Sequence, residues 1–254
     1  MARVEADSRA GARRRAGASI ALAGALAHFS GLRGAFVYDD LSNIAENPYL
    51  APLWPPGGWL WAQPRFGLAG RPVASFSFAV NRALGGLDPR GYHALNLAIH
   101  LTAALFLFGL MRRALELAGG RCAARATPLA WASALLWVVH PLTTAAVTYV
   151  YQRCEALMGA ALVATLYFGL VARSPSETDG RRRRAAVLAI AACYLGAGAK
   201  ETMVVAPLLL LLFDRALVAG SLGAALRAAP GLYAALFGSW IAIAVLVVAS
   251  GARA

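Results

Sequence analysis

The sequence predicts an all-α integral membrane protein with about seven spanning helices and a long first external loop. Three observations carry this: apolar residues make up 59% of 254, mean hydropathy is +0.59, and only 14% of residues are charged. An ordinary soluble domain holds roughly 25% charged residues. A net charge of +12 would suggest nucleic acid in a soluble chain. Here the arginines fall in short clusters between apolar stretches, so topology accounts for them and no nucleic-acid partner is expected.

With about 20 apolar residues as the unit of a span, the helices are predicted near 18–35, 92–111, 128–149, 155–172, 185–199, 202–213 and 230–250. Residues 1–17 form a basic tail with Arg3, Arg9, Arg13, Arg14 and Arg15. The loop after the second span carries Arg112, Arg113, Arg121 and Arg125. Arg173 with Arg181 to Arg184, then Arg215 and Arg227, mark two later loops. Alternate loops are basic, and the positive-inside rule places the N-terminus in the cytoplasm. The division that follows is a tail at 1–17, a membrane core at 18–215, and a loop with the seventh helix at 216–254.

This orientation gathers the unusual ionisable groups on the outer face: Asp39, Asp40, His93, His140, Arg153, Glu155, Lys200 and Glu201. Between them, the loop 36–91 is too long for a plain connection. It holds Trp54, Trp59 and Trp61 among Pro52, Pro55, Pro56 and Pro64. The stretch 71–84 opens near a proline and repeats Phe76, Val80 and Leu84 at helical spacing. It predicts a short helix lying in the membrane surface, the alternative being a loop helix packed on the bundle.

Asp39 and Asp40 leave the first span together. An ionised side chain in hydrocarbon costs at least about 2.5–3.5 kcal/mol, so the pair is expected to face water. A plainer reading has both acids begin a short helix, with Asn43 and Glu46 as a capping box. Hard cations favour carboxylate oxygens, so a divalent cation on Asp39 and Asp40 is a further option, although two acids alone signal metal weakly.

His93, Asn96 and His100 share one helix face, where they either position a substrate or bridge helices. His140 precedes Pro141, which points to a kink in the third span. Lys200 is the only lysine of the chain, which singles out a compact ammonium there, with an ion pair to Glu201 as the plain alternative. Arg153 and Glu155 admit the same alternative. Gly196 to Thr202 lacks the order of a phosphate loop, and the three cysteines suggest neither disulfide nor metal.

The order Phe36-Val37-Tyr38-Asp39-Asp40, Asn43, Asn47, Arg71-Pro72, Ser75, Asn81, Gly91-Tyr92-His93, Asn96 and His100 resembles the transmembrane and tetratricopeptide-repeat O-mannosyltransferases and their bacterial relatives. The pattern continues through His140-Pro141, Ala146-Val147, Tyr149, Arg153, Glu155, Lys200-Glu201, Pro207 and Asp214, covering about 20–215. The resemblance implies a GT-C glycosyltransferase of a bacterial inner membrane. Its reaction would be an inverting transfer of a sugar, mannose by analogy, from a polyprenyl-phosphate carrier to a protein or glycan hydroxyl on the extracytoplasmic face.

The acidic pair of that family maps onto Asp39 and Asp40, either of which would deprotonate the acceptor. Arg71, Arg153 and Lys200 are the cations available to the leaving phosphate. His93, Asn96, Glu155 and Glu201 are further substrate-binding candidates, followed by His100 and His140. The family continues past this length into further spans and repeats. A shortened lipid-carrier-binding or assembly protein is therefore the second reading, and a transporter is disfavoured by the absence of a two-fold repeat.

Overall fold

The computed structural model describes residues 2–60 and 66–251, with side chains from residue 10 onward. Trp61 and Pro64 of the first loop lie outside the described residues, as do the side chains of Arg3 and Arg9. Among the described residues every regular element is helical.

The principal helices are α1 (Ala2–His28), α2 (Pro72–Gly85), α3 (Pro89–Ala118), α4 (Ala126–Val138), α5 (Arg153–Arg173), α6 (Asp179–Ala197), α7 (Ala206–Asp214) and α8 (Pro230–Ala249). Proline stands in the first turn of α2, α3, α7 and α8, where the missing N–H would have had no partner in the helix. Among the described residues, four helical segments are long and apolar enough to cross a membrane: Pro89–Ala118, Val150–Arg173, Glu201–Ala219 and Pro230–Ala249. This is a multi-pass membrane protein.

The expected count of seven spans is not reached by that measure. A fifth crossing requires joining α4 to Pro141–Thr148 across a 58° bend. Helices also stand at the first and fifth predicted places, but their charged ends reduce their apolar length. The basic tail is itself helical from Ala2 onward, and α6 runs through Arg181 to Arg184.

The bend falls at the His140-Pro141 pair. Pro141 has no N–H to continue the helix, and His140 caps the following turn, its Nδ1 accepting from the Leu142 N–H at 3.2 Å. The Val138 carbonyl, left at the end of α4, lies 3.0 Å from His28 Nε2 and 3.1 Å from His100 Nε2. The two imidazoles meet edge to face and His100 stacks on Trp137. Helices α1, α3 and the bent α4 thus converge on one oxygen.

Three apolar clusters hold the bundle. One joins α1, α3 and α4 around Ile20, Ala104 and Val138; one joins α5, α6, α7 and α8 around Leu170, Cys193, Leu210 and Leu236. The third packs the first loop onto the bundle through Ile44, Leu50, Leu68, Phe78 and Tyr92. In α2, Ala74 and Phe78 face inward while Phe76 and Leu84 are exposed. The helix is therefore packed on the bundle with an apolar stripe left outside.

Between α5 and α7 the approach is close enough that a Cβ on Gly169 would run into the Leu210 side chain, as small residues permit in membrane helix packing. Gly169→Val is expected to cost about 1–3 kcal/mol through overpacking. Gly180, with open space at its Cβ position, supplies the reference substitution. Thermal unfolding in detergent reads the difference, and equal midpoints for the two valine variants would contradict it.

Candidate functional site

The two aspartates point in opposite directions. Tyr38 has φ +48, a left-handed conformation uncommon outside glycine, and the chain turns there so that Asp40 enters the protein while Asp39 stays outside. Asp40 is fully buried. Its Oδ2 accepts from the Val37 N–H at 3.0 Å and the Val150 N–H at 3.3 Å, and its Oδ1 from the Tyr151 N–H at 2.7 Å. It therefore ties the first loop to the segment Val150–Arg173. Asp39 is exposed, and the Tyr149 hydroxyl donates to its Oδ2 at 2.6 Å.

The predicted capping box does not form: Asn43 donates to the Asp39 carbonyl at 3.0 Å and accepts from the Gly67 N–H at 2.5 Å, bridging two parts of the loop. The two carboxylates take different partners, Asp39 the Tyr149 hydroxyl and Asp40 backbone N–H groups. Both oxygens of Asp40 are occupied by N–H donors, and no group of three His, Cys, Asp or Glu suited to a metal occurs among the described residues.

Burial, working against those three N–H groups, holds the Asp40 acid above its ordinary 3.8. A raised acid contributes stability fully below its unfolded value, and that contribution is lost as pH rises through the folded value. Wild-type stability measured against Asp40→Asn is accordingly expected to decline as pH rises from about 3.8. Thermal midpoints at a series of pH values test this, and a constant difference would refute it. Tyr149 is pushed up to about 12, by burial and then by its bond to Asp39, so it remains the donor.

Arg153 is enclosed. Its Nε donates to Asn96 Oδ1 at 2.6 Å, Nη1 to the Ser77 carbonyl at 3.1 Å and Asn81 Oδ1 at 2.7 Å, and Nη2 to the Tyr92 carbonyl at 2.9 Å. The Phe78 ring lies 4.4 Å from the guanidinium carbon. All these partners are neutral, so the guanidinium locks α2, α3 and α5 together. The sequence offered Arg153 to a leaving phosphate; the structure surrounds it with protein.

His93 is likewise buried, its Nδ1 3.1 Å from the Val147 carbonyl and its Nε2 3.1 Å from the Gly34 carbonyl. Asn96 donates to the Val150 carbonyl at 3.3 Å. His93, Asn96 and His100 share the inner face of α3, as their spacing predicts, and each bridges segments. His140 is exposed at the kink.

The remaining charged residues cross-pair. Arg71 binds Glu201 by Nη2 to Oε1 at 3.1 Å, and Lys200 binds Glu155. Arg153 makes no ion pair with Glu155 among the described residues, its partners being neutral. Tyr151 links this group to the acids, because its N–H holds Asp40 while Arg71 Nη1 donates to its hydroxyl at 3.3 Å. Polar contacts therefore run from Asp40 through Tyr151 and Arg71 to Glu201, and the Lys200–Glu155 pair starts at the adjoining residue of the chain.

Beside Glu155 opens a cavity of about 440 Å³, otherwise mostly apolar, whose walls include His100, Trp137, Leu142 and Val163. Glu155 thus joins a paired lysine to a groove of lipid-like lining. Sequence reasoning placed Tyr149 in the motif but gave it no role. Its signal was its position two residues before the Tyr151 turn, which only the folded loop brings to Asp39.

No family model and no solved structure matches the chain. Among curated proteins, it is 34% identical over 153 residues to mouse protein O-mannosyl-transferase TMTC1, which covers 56% of this chain and 15% of that protein. It is 29% identical over 198 residues to Drosophila melanogaster protein O-mannosyl-transferase Tmtc3, covering 69% and 21%. The human TMTC1 protein is 31% identical over 153 residues, covering 56% and 16%. The chain thus matches a small fraction of these relatives' length. Over the matched region, the chain is similar to the TMTC protein O-mannosyl-transferases.

Proposed function

We propose that this chain is the membrane core of a glycosyltransferase of GT-C type, inverting, that moves a sugar from a polyprenyl-phosphate carrier to a hydroxyl of a protein or glycan on the extracytoplasmic face. The observation that carries the reading is Asp39: an exposed carboxylate, oriented by Tyr149, next to a buried twin that fixes its loop. The names of the relatives support a transferase and suggest mannose.

In this reading Asp39 takes the proton of the acceptor hydroxyl as its oxygen bonds to the anomeric carbon. The bond from that carbon to the carrier phosphate breaks on the opposite side, and the electron pair leaves with the phosphate. Lys200, released from Glu155, and Arg71 supply the positive charge that the leaving oxygen needs. The 440 Å³ cavity next to Glu155 takes part of the polyprenyl chain. Asp40, His93, Asn96 and Arg153 position the loop and helix ends. Alternate basic loops support seven crossings with the N-terminus in the cytoplasm, with the core at 18–215 and the exposed stripe of α2 resting in the membrane surface.

Transfer of radiolabelled sugar from polyprenyl-phosphate donors, in membranes containing the chain, tests the reading. Label transfer that disappears in Asp39→Asn is expected. Binding of the carrier without transfer, unchanged by that substitution, would favour the lipid-carrier-binding reading, which the pre-formed ion pairs and the apolar cavity also suit.

A further inference from the structure

At the opposite end of α5 from Arg153 lies a second cavity, about 340 Å³ in volume, where α5 ends and α6 and α8 begin. Arg173, Arg182 and Arg183 line it with Asp179, and its other walls include Ala186 and Leu232. Three features make it a built site for an anion rather than a patch of surface charge.

Arg173 is 7% exposed, and Asp214 engages only its Nε, at 2.5 Å. No carboxylate or carbonyl meets its terminal nitrogens among the described residues. Asp214 is in turn held by the Tyr233 hydroxyl at 2.6 Å, so the guanidinium is clamped from behind. Arg182 is anchored in the same manner, its Nε donating to the Ala172 carbonyl at 3.2 Å and its Nη1 3.5 Å from Asp179. Arg183 is exposed on the same turn.

The third feature is the start of α8. Ala229 offers no side-chain cap and Pro230 follows it, and the first N–H groups of a helix have no acceptor within the helix. A helix of 20 residues presents the positive end of its dipole there. Guanidinium forks and free helix amides together match the tetrahedral oxygens of a phosphate, and the Ala186 and Leu232 walls match the apolar neck of a lipid.

We propose that the cavity between the end of α5 and the starts of α6 and α8 binds the phosphate of an anionic phospholipid headgroup. The site lies away from the acidic pair and does not rest on the transferase reading. A topology signal alone requires positive charge in the loop, whereas this proposal requires it at particular positions.

The test is binding of short-chain phosphatidylglycerol, with phosphatidylcholine as the zwitterionic comparison, to the purified full chain in detergent. Arg182→Gln/Arg183→Gln is expected to weaken phosphatidylglycerol binding by about tenfold or more, on the scale of one charged contact per arginine. Arg183→Gln alone, at an exposed side chain, is expected to weaken it severalfold without altering the thermal midpoint. Arg121→Gln/Arg125→Gln removes equal charge from exposed positions elsewhere and is expected to change binding less than twofold.

An equal loss in the two double variants would overturn the site, as would equal binding of the two lipids. Competition by millimolar inorganic phosphate would show that the phosphate group suffices for binding, and failure of that competition would show that the lipid neck contributes.

Discussion

Asp39→Asn is expected to reduce sugar transfer by about 10²–10⁴-fold, the usual contribution of a positioned general base, while the protein remains folded. Asparagine keeps an oxygen for the Tyr149 hydroxyl to meet, so the loop is retained and only the proton acceptor is lost. Asp40→Asn should behave differently. Its amide nitrogen would face one of the N–H groups of Val37, Val150 or Tyr151 that now donate to the carboxylate. An unsatisfied buried donor of this kind costs about 1–3 kcal/mol. The pair is therefore separated by measuring transfer and thermal midpoint on the same samples. A stable, inactive Asp40→Asn with an active Asp39→Asn would reverse the assignment.

Arg153→Met is expected to destabilise the fold by about 3–5 kcal/mol, since several buried acceptors lose their donor at about 1–3 kcal/mol each. Two effects compete. Loss of a buried cation relieves desolvation, but the Asn96, Asn81, Ser77 and Tyr92 oxygens then point at a methylene chain. Several unsatisfied acceptors outweigh one relieved charge, because each carries its own desolvation penalty. Arg153→Lys should rescue little, since an ammonium cannot reproduce the planar fork that reaches three helices. Thermal unfolding in detergent decides the matter. A near-normal midpoint for Arg153→Lys with transfer abolished would place the guanidinium at the substrate after all.

The helical class, the proline-led start of α2, the kink at His140-Pro141 and the shared face of His93, Asn96 and His100 were legible because they follow local periodicity and backbone chemistry. The crossing count was less so. α4 is broken and α6 begins with four arginines, and hydropathy alone does not say whether such a segment crosses.

Within the site, adjacency misled. Lys200 and Glu201 are neighbours in sequence, yet Lys200 turns to Glu155 and Glu201 to Arg71. Arg153 and Glu155 are two apart on a helix and so face different directions. The split between Asp39 and Asp40 depends on the left-handed turn at Tyr38, a conformation that tyrosine gives no local reason to expect.

The Val138 carbonyl, gripped from two sides by His28 and His100, changes what the bend can do mechanically. A break at proline ordinarily supplies a hinge, but here straightening the helix would pull one oxygen off two rings carried by two other helices. The joint is a fixed elbow. Trp137 and His100, which flank it, are also walls of the 440 Å³ cavity. Any widening of that cavity must therefore come from the segment carrying Leu142 and Thr143, or from a slide of α5, while the elbow side keeps its shape.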